Sequence, residues 1–282
     1  MNAVVDVFTP LAVVAVAAFL LVPRTAAAEK ANYLEEKVPD YTLPDPLVAA
    51  NGEPVADAAA WRERRRGEIL ELFRTHVYGR SPGKPEGLHA EITSVVEDAL
   101  DGKATRKEIA IYFTADEDGP RMDMLLYLPN DGPRPAPAFL GLNFCGNQSI
   151  DPDPTIAMCT SWMRDDKDGR VVDNRATEES RGFKASRWPA GLIVDRGYAL
   201  ATIYYGDIDP DYDDGFQNGV HPLFYREGQT APEPDEWGSI GAWAWGLSRA
   251  MDYFETDGTI DHRHVAVIGH SRLGKTALWA GA

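Results

Sequence analysis

The amino-acid sequence predicts an α/β protein with a mainly parallel central sheet between layers of helices. Two continuous apolar runs, Ala136–Asn143 and Tyr198–Tyr205, have the composition of strands that are buried on both faces of a sheet. In the second half of the chain, strand patterns alternate with helix patterns, as in parallel sheets wound through crossover connections. The 282 residues, of which 44% are hydrophobic and 26% charged, suffice for one large globular domain.

The first half of the chain predicts a helix followed by three antiparallel strands. Residues Asp57–Tyr78 carry an apolar stripe at helical spacing, begin with a capping aspartate and are followed by Gly79 as a stop signal. The strand patterns are Glu91–Val96, Lys107–Phe113 and Met122–Leu128. Turn signals between them favour antiparallel pairing.

The end of the chain predicts a helix, a strand and a second helix. The helix over Trp237–Phe254 has apolar residues three and four positions apart, and Val265–Ile268 is a short apolar strand. A second helix includes Thr276–Ala280. The segment 269–276 therefore lies at a turn from strand to helix.

Composition excludes several classes of protein. The net charge of −16 would repel a nucleic acid over most of the surface. The two cysteines, Cys145 and Cys159, are too few for a disulfide scaffold or a multi-cysteine metal cluster. Their spacing does not establish whether they form a disulfide.

The sequence GHSRLGKT at residues 269–276 matches two chemical motifs. As G-x-x-x-x-G-K-T it is a phosphate loop, in which Lys275 and Thr276 would serve a nucleotide phosphate and magnesium. As a nucleophile elbow, it would expose the Ser271 hydroxyl between strand and helix, although Leu273 stands where G-x-S-x-G has glycine. Context favours the elbow, because a phosphate loop normally follows the first strand of its domain and this motif follows at least five.

The same segment resembles a known family. GHSRLGK is similar to the G-C-S-R-x-G-K signature of glucuronoyl esterases, with His270 in place of the cysteine of the fungal pattern. The resemblance extends over 141–150, 201–224 and 237–254, and is to the bacterial members. It implies an α/β-hydrolase fold, a three-layer sandwich with a mainly parallel central sheet, here truncated after the nucleophile elbow.

The resemblance also implies roles for individual residues. Ser271 would be the nucleophile that forms an acyl-enzyme, Arg272 would stabilise the oxyanion, and Lys275 would contact sugar hydroxyls. A second loop on the oxyanion side would follow the strand Ala136–Asn143, near Phe144–Gly146. The substrate would be the ester between xylan 4-O-methyl-glucuronate and lignin alcohols, with acetyl-xylan or another carbohydrate ester as the alternative. No cofactor and no metal is implied.

The catalytic acid and histidine of a hydrolase follow the serine in chain order, and none of the 11 residues after Ser271 is His, Asp or Glu. We therefore expect both groups beyond Ala282, and no ester turnover by these 282 residues alone. The strand before Ser271 would then have an unpaired edge.

The predicted organisation has three parts. The apolar run Leu11–Val22 and the A-x-A pattern at 26–28 predict a secretory signal peptide over residues 1–28, and hence a secreted or periplasmic protein without a membrane anchor. Residues 29–56 would be an extended segment, and 57–282 the N-terminal portion of one catalytic domain. We expect a monomer at full length.

Two further features suggest binding. Residues 207–214 alternate carboxylates as calcium loops do, but lack the glycine and glutamate that such loops require, so a solvated loop is favoured. Trp188 and Trp237, beside proline-containing loops, are candidates for stacking on sugar rings. His221 has no assigned place, and a structural role is favoured for His262 and His264.

Overall fold

The computed structural model describes residues 32–282, so the predicted signal peptide 1–28 lies outside the described residues. Contacts divide the chain into Met1–Asp45 and Pro46–Ala282. In the first unit, the described part contains one short 3₁₀ helix, Glu35–Lys37. The predicted start of the catalytic domain at residue 57 remains a prediction.

A six-stranded mixed sheet forms the centre of the second unit, in the order β1-β2-β3-β7-β4-β8. Its strands are β1 His89–Ala99, β2 Ala104–Tyr112, β3 Arg121–Pro129, β4 Ala136–Asn143, β7 Ala199–Tyr204 and β8 Ile260–Ile268. Strands β1 to β3 are antiparallel, β3 pairs antiparallel with β7, and β4 is parallel to both β7 and β8. The short strands β5 Val171–Val172 and β6 Arg175–Ala176 form a separate hairpin.

The predicted N-terminal helix runs continuously from Ala58 to Tyr78. It comprises α1 Ala58–Ala60, a π-helical stretch Trp61–Arg65, α2 Arg66–Phe73 and a second π-helical stretch Arg74–Tyr78. Asp57 caps its start, because the side chain accepts the Ala60 N–H at 2.8 Å. Gly79, at φ 78°, ends it, and a Cβ there would lie 2.1 Å from the carbonyl oxygen of Glu236.

Helices cover both faces of the sheet. They are α3 Ala190–Val194, α4 Ser239–Phe254 and α5 Arg272–Ala280. Alternate residues of β7 point to opposite faces: Ala201 joins the core that contains residues of α4 and α5, whereas Leu200 joins the core that contains α3. The arrangement is a three-layer α/β sandwich, which confirms the predicted fold class; within the described residues its sheet is mixed, with three antiparallel and two parallel strand pairings.

The strand that leads to Ser271 is longer than predicted and lies at the edge of the sheet. β8 begins at Ile260 instead of Val265, because the polar residues 261–264 also adopt strand conformation. Within residues 32–282 it pairs only with β4, and its outer edge is unpaired. In the same range, no helix is long and apolar enough to cross a bilayer.

Candidate active site

Ser271 occupies a sharp turn between β8 and α5. Its backbone has φ 55° and ψ −128°, and the residue is exposed. A positive φ is uncommon for a residue with a side chain and costs about 1–3 kcal/mol, so such a conformation persists only where the surrounding fold imposes it. The strand–turn–helix context and the exposed hydroxyl are those of a nucleophile elbow.

Gly269 makes this turn possible. A Cβ at Gly269 would lie 2.1 Å from the carbonyl oxygen of Leu273, because the first turn of α5 lies directly over the end of β8. At Gly274 the nearest atom to an added Cβ is 3.5 Å away, which is an ordinary contact. Leu273 is 1% exposed and packs into the core beneath the turn. The elbow therefore requires glycine at 269 and accommodates leucine at 273.

The alternative interpretation as a phosphate loop does not fit this geometry. Helix α5 begins at Arg272, so the N–H groups of Gly274 and Lys275 already donate to the Ser271 carbonyl, at 2.9 and 3.2 Å. The Thr276 hydroxyl is buried and donates to the Arg272 carbonyl at 3.0 Å. Neither the loop amides nor the threonine hydroxyl is available in the way a nucleotide phosphate and magnesium require.

Arg272 is held by a carboxylate and two aromatic rings. Its Nη1 lies 2.6 Å from Oδ2 of Asp211. Its guanidinium carbon lies 5.6 Å from the ring centre of Phe144 and 6.0 Å from that of Tyr205. The hydroxyl of Tyr205 donates to the same Asp211 oxygen at 2.9 Å. The Arg272 side chain, which is 47% exposed, therefore has one defined set of neighbours.

The loop after β4 lies next to the elbow, where the predicted second oxyanion loop belongs. Phe144 packs edge-on against Tyr205, with ring centres 5.4 Å apart. The N–H of Cys145 donates to Oδ1 of Asn143 at 3.2 Å, and Asn143 in turn donates to the Thr202 hydroxyl at 3.1 Å. These bonds tie the loop to the ends of β4 and β7.

The other candidate residues do not all lie at the surface around Ser271. Lys275 is exposed on the first turn of α5. His270 and Trp188 line a cleft of about 360 Å³ beside the loop after β4. Trp237 is 4% exposed and packs between the rings of His221 and Trp245, so it is a core residue, and the prediction of sugar stacking at Trp237 is wrong.

The histidines in the described part of the chain do not provide a base for Ser271. His221 is buried between aromatic rings, with Nδ1 3.2 Å from Oδ1 of Asp209. His264 contacts Asp261 at 2.7 Å, and its neighbour His262 is exposed on β8. No contact between a histidine and the Ser271 hydroxyl occurs among residues 32–282.

The carboxylates of residues 207–214 serve separate partners instead of one cation. Asp207 accepts the Ser161 hydroxyl at 2.6 Å, and burial raises the pKa of Asp207 to about 7. Asp209 faces His221, and Asp211 faces Arg272. In the described part of the chain, no group of three potential ligands could hold a metal ion. Cys145 and Cys159 are free thiols.

Sequence reasoning missed Asp211 and Tyr205 as site residues. Both lie in the segment that follows β7, and they reach Arg272 because β7, β4 and β8 are neighbouring parallel strands whose carboxyl ends meet at one edge of the sheet. The only signal in the sequence was the run of carboxylates at 207–214, which does not distinguish one carboxylate from the next.

Comparison with known proteins finds similar esterases. The family model described as glucuronyl esterase of fungi matches residues 216–282, which include the elbow. A carbohydrate esterase from an unknown prokaryotic organism is 50% identical over 252 residues. A 4-O-methyl-glucuronoyl methylesterase from Thermothelomyces thermophilus is 26% identical over 244 residues, which are 85% of this chain and 45% of that protein.

Solved structures agree with the sequence matches. The glucuronoyl esterase from Solibacter usitatus superimposes with a TM-score of 0.80 at 50% identity and covers 88% of this chain. A family 15 carbohydrate esterase from a marine bacterial metagenome, described as promiscuous, gives 0.76 at 49% identity, with 89% of this chain and 62% of that chain covered.

The chain spans only part of these relatives. The match to the prokaryotic esterase includes 89% of this chain but 58% of that protein, and the match to the Solibacter structure includes 62% of that chain. The shared signature around Ser271, the 50% identity and the common fold nevertheless agree with one another. Over 88–89% of its length the chain is therefore similar, in sequence and in fold, to glucuronoyl esterases of carbohydrate esterase family 15.

Proposed function

We propose that this chain carries the nucleophile and the oxyanion groups of a serine carboxylic-ester hydrolase. The proposed substrate is the glucuronoyl ester between xylan 4-O-methyl-glucuronate and lignin alcohols. The observation that carries the proposal is the exposed Ser271 at φ 55°, on the turn from β8 into α5. The fungal relatives named 4-O-methyl-glucuronoyl methylesterase support the choice of ester.

In this proposal the Ser271 hydroxyl attacks the ester carbonyl, the alcohol leaves, and water hydrolyses the acyl-enzyme. Negative charge develops on the carbonyl oxygen beside the start of α5. The backbone N–H of Arg272, the residue after the nucleophile, and its guanidinium are the proposed donors to that oxygen. The positive end of the α5 dipole adds to the same effect.

Lys275 is the proposed contact to sugar hydroxyls. It is exposed and lies in the first turn of α5, four residues after Ser271. An ammonium group there would donate hydrogen bonds to hydroxyls of the uronate ring while Ser271 reaches its carbonyl. No cofactor or metal is required.

The general base and its acid are proposed to lie in sequence that follows Ala282. Support comes from residues 32–282, in which no histidine is hydrogen-bonded to the Ser271 hydroxyl and in which His221 and His264 face Asp209 and Asp261. The 282-residue chain by itself is therefore expected not to turn over esters. Detectable turnover by this chain that disappears in Ser271→Ala would contradict this part of the proposal.

Covalent labelling tests the nucleophile. The protein expressed from its complete gene, with whatever sequence follows Ala282, is treated with a fluorophosphonate and digested for mass spectrometry. We expect the label on Ser271 and none on the Ser271→Ala variant. A label on another serine, or no label on a folded and ester-hydrolysing protein, would refute the assigned nucleophile.

Competing substrates test the ester. We expect kcat/KM for a benzyl glucuronate ester to exceed that for acetylated xylan. The opposite order, with labelling still at Ser271, would assign the protein as an acetyl-xylan esterase with the same nucleophile.

Export and oligomeric state complete the proposal. Residues 1–28 are proposed to direct secretion, so the N-terminal sequence of the exported protein is expected to begin at Glu29. Light scattering of the complete gene product is expected to give the mass of a monomer. A dimer mass, or an exported protein that retains residues 1–28, would contradict these two points.

A further inference from the structure

We propose that Asp211 is a positioning residue that fixes the guanidinium of Arg272 for oxyanion stabilisation. The inference rests on the proposed function. Asp211 lies outside the signature that contains Ser271 and Arg272, and reaches it from the segment after β7. Its Oδ2 lies 2.6 Å from Nη1 of Arg272, so the two side chains form a close ion pair.

An arginine in this place needs such a partner. Its side chain is 47% exposed and, left free, would sample many rotamers. A donor that is already oriented stabilises a developing oxyanion without that cost at the moment of reaction. Even a two-pronged contact with one carboxylate would use two of the five guanidinium N–H groups, so the other donors remain for the oxyanion.

Asp211 is itself held in place. The Tyr205 hydroxyl donates to the same Oδ2 at 2.9 Å, and Nη2 of Arg164 donates to the Asp211 carbonyl at 3.3 Å. The side chain of Asp211 is 23% exposed. Burial and the adjacent Asp211 carboxylate raise the pKa of Tyr205, so its phenol remains a donor throughout the neutral range.

Aromatic rings limit the guanidinium from its other sides. Phe144, from the loop after β4, and Tyr205, from the segment after β7, both lie within about 6 Å of the Arg272 guanidinium carbon, within the range of cation–π attraction. Tyr205 packs in turn on Trp243 of α4, with ring centres 5.0 Å apart. The Asp211 carboxylate thus adds an ion pair to the aromatic contacts that hold the Arg272 guanidinium.

The same carboxylate also lowers the net charge beside the oxyanion, so its removal distinguishes two effects. If orientation dominates, loss of the carboxylate lowers kcat because the guanidinium moves. If charge neutralisation dominates, loss of the carboxylate raises kcat because Arg272 becomes a stronger positive charge. The proposal predicts the first outcome.

The test is a double-mutant cycle on the complete gene product, with a glucuronoyl ester as substrate. Arg272→Ala is expected to lower kcat about 10²- to 10³-fold, the usual effect of losing an oxyanion donor. Asp211→Asn is expected to lower kcat about 10- to 100-fold, the scale of a misplacement of about 1 Å, with KM changed less than about threefold. In the Arg272→Ala background, Asp211→Asn is expected to have no further effect, because its partner is absent.

Two variants control for charge and for folding. Asp213→Asn removes the same charge from an exposed side chain in the same segment and is expected to keep kcat within about twofold. Tyr205→Phe keeps the ring and removes only the hydroxyl that holds Asp211, and is expected to lower kcat about three- to tenfold. Thermal unfolding of each variant separates misfolding from misplacement; if Asp211→Asn fails to fold, Tyr205→Phe decides.

Any of three results would overturn the inference. The first is an unchanged or raised kcat in folded Asp211→Asn, and the second is an equal loss of kcat on Asp211→Asn in the wild-type and Arg272→Ala backgrounds. The third, where Asp211→Asn does not fold, is an unchanged kcat in Tyr205→Phe. Each leaves the proposed function intact, because the unsubstituted protein would still hydrolyse the ester. Absence of Ser271-dependent hydrolysis in the unsubstituted protein would instead refute the proposed function, and this inference with it.

Discussion

The glycine that precedes the nucleophile by two residues should be irreplaceable, even by alanine. A Cβ at Gly269 would lie 2.1 Å from the carbonyl oxygen of Leu273 and 2.6 Å from its carbonyl carbon. Both atoms are backbone, so no side-chain rotation relieves the contact. Restoring an ordinary separation of about 3.4 Å requires α5 to move by roughly 1 Å relative to β8, since packed interiors lack the space to absorb an added methyl group.

The magnitude follows from that displacement. Overpacking of this kind costs about 1–3 kcal/mol of unfolding free energy, which corresponds to a fall of a few degrees in Tm for a protein of this size. Ser271 and Arg272 move with the start of α5, and a displacement of about 1 Å at a reacting group costs on the order of 100-fold in kcat. We therefore expect Gly269→Ala to lose far more activity than stability.

The chain offers a matched control in Gly274. There an added Cβ has its nearest neighbour, the carbonyl oxygen of Gly269, at 3.5 Å. Because alanine favours a helix by about 1 kcal/mol over glycine, Gly274→Ala should keep or slightly raise Tm. The assay compares kcat for a glucuronoyl ester and Tm of the two variants of the complete gene product. Gly269→Ala with the kcat and Tm of Gly274→Ala would refute the geometry of the elbow.

Three other measurements probe the structure around the site and the fold that supports it. Ser271→Gly should raise the free energy of unfolding by about 1–2 kcal/mol, because only glycine adopts φ 55°, ψ −128° without strain. Ser271→Ala should leave it nearly unchanged. Equal free energies of unfolding for the two variants in chemical denaturation would contradict this. Asp57→Ala should cost about 1 kcal/mol through loss of the N-terminal cap of α1, seen in denaturant titrations, and no loss would show the cap to be dispensable. Asp257 is partly desolvated, but hydrogen bonds from Thr259 and an ion pair with Lys107 at 3.0 Å lower its pKa to about 2, below the ordinary 3.8. Its stabilising effect, about 1 kcal/mol after allowance for solvent screening, should be complete above pH 3.8 and disappear as the pH falls to about 2, so Asp257→Asn should flatten this part of the stability–pH curve.

Local sequence patterns were sufficient to predict the elements whose own residues are apolar throughout or provide the cap and the stop signal. The strand β4 spans Ala136–Asn143 as predicted, because a continuous apolar run has no other place than the centre of a sheet. The helix that begins after Asp57 and ends before Gly79 also follows from its own residues. By contrast, β8 begins five residues earlier than predicted. Ile260 pairs with Ala136 of β4, and the polar residues 261–264, which have no apolar pattern, lie in a register shift before the pairing resumes at Val265.

The residues of the candidate site also fall into those that the sequence predicted and those that it did not. Ser271, Arg272 and Lys275 were predicted because they belong to one contiguous signature, whereas Asp211 depends on a pairing that only the folded sheet creates. The order of the parallel strands brings the segment after β7 and the loop after β4 to the carboxyl end of β8. An exposed arginine beside a nucleophile is a useful donor only when something fixes it. Because α5 contains no acidic residue, a carboxylate that fixes Arg272 has to come from another part of the chain. Any carboxylate in the run at 207–214 has the charge to do so; the path of the chain after β7 brings Asp211 to Arg272 and directs Asp207 and Asp209 to Ser161 and His221.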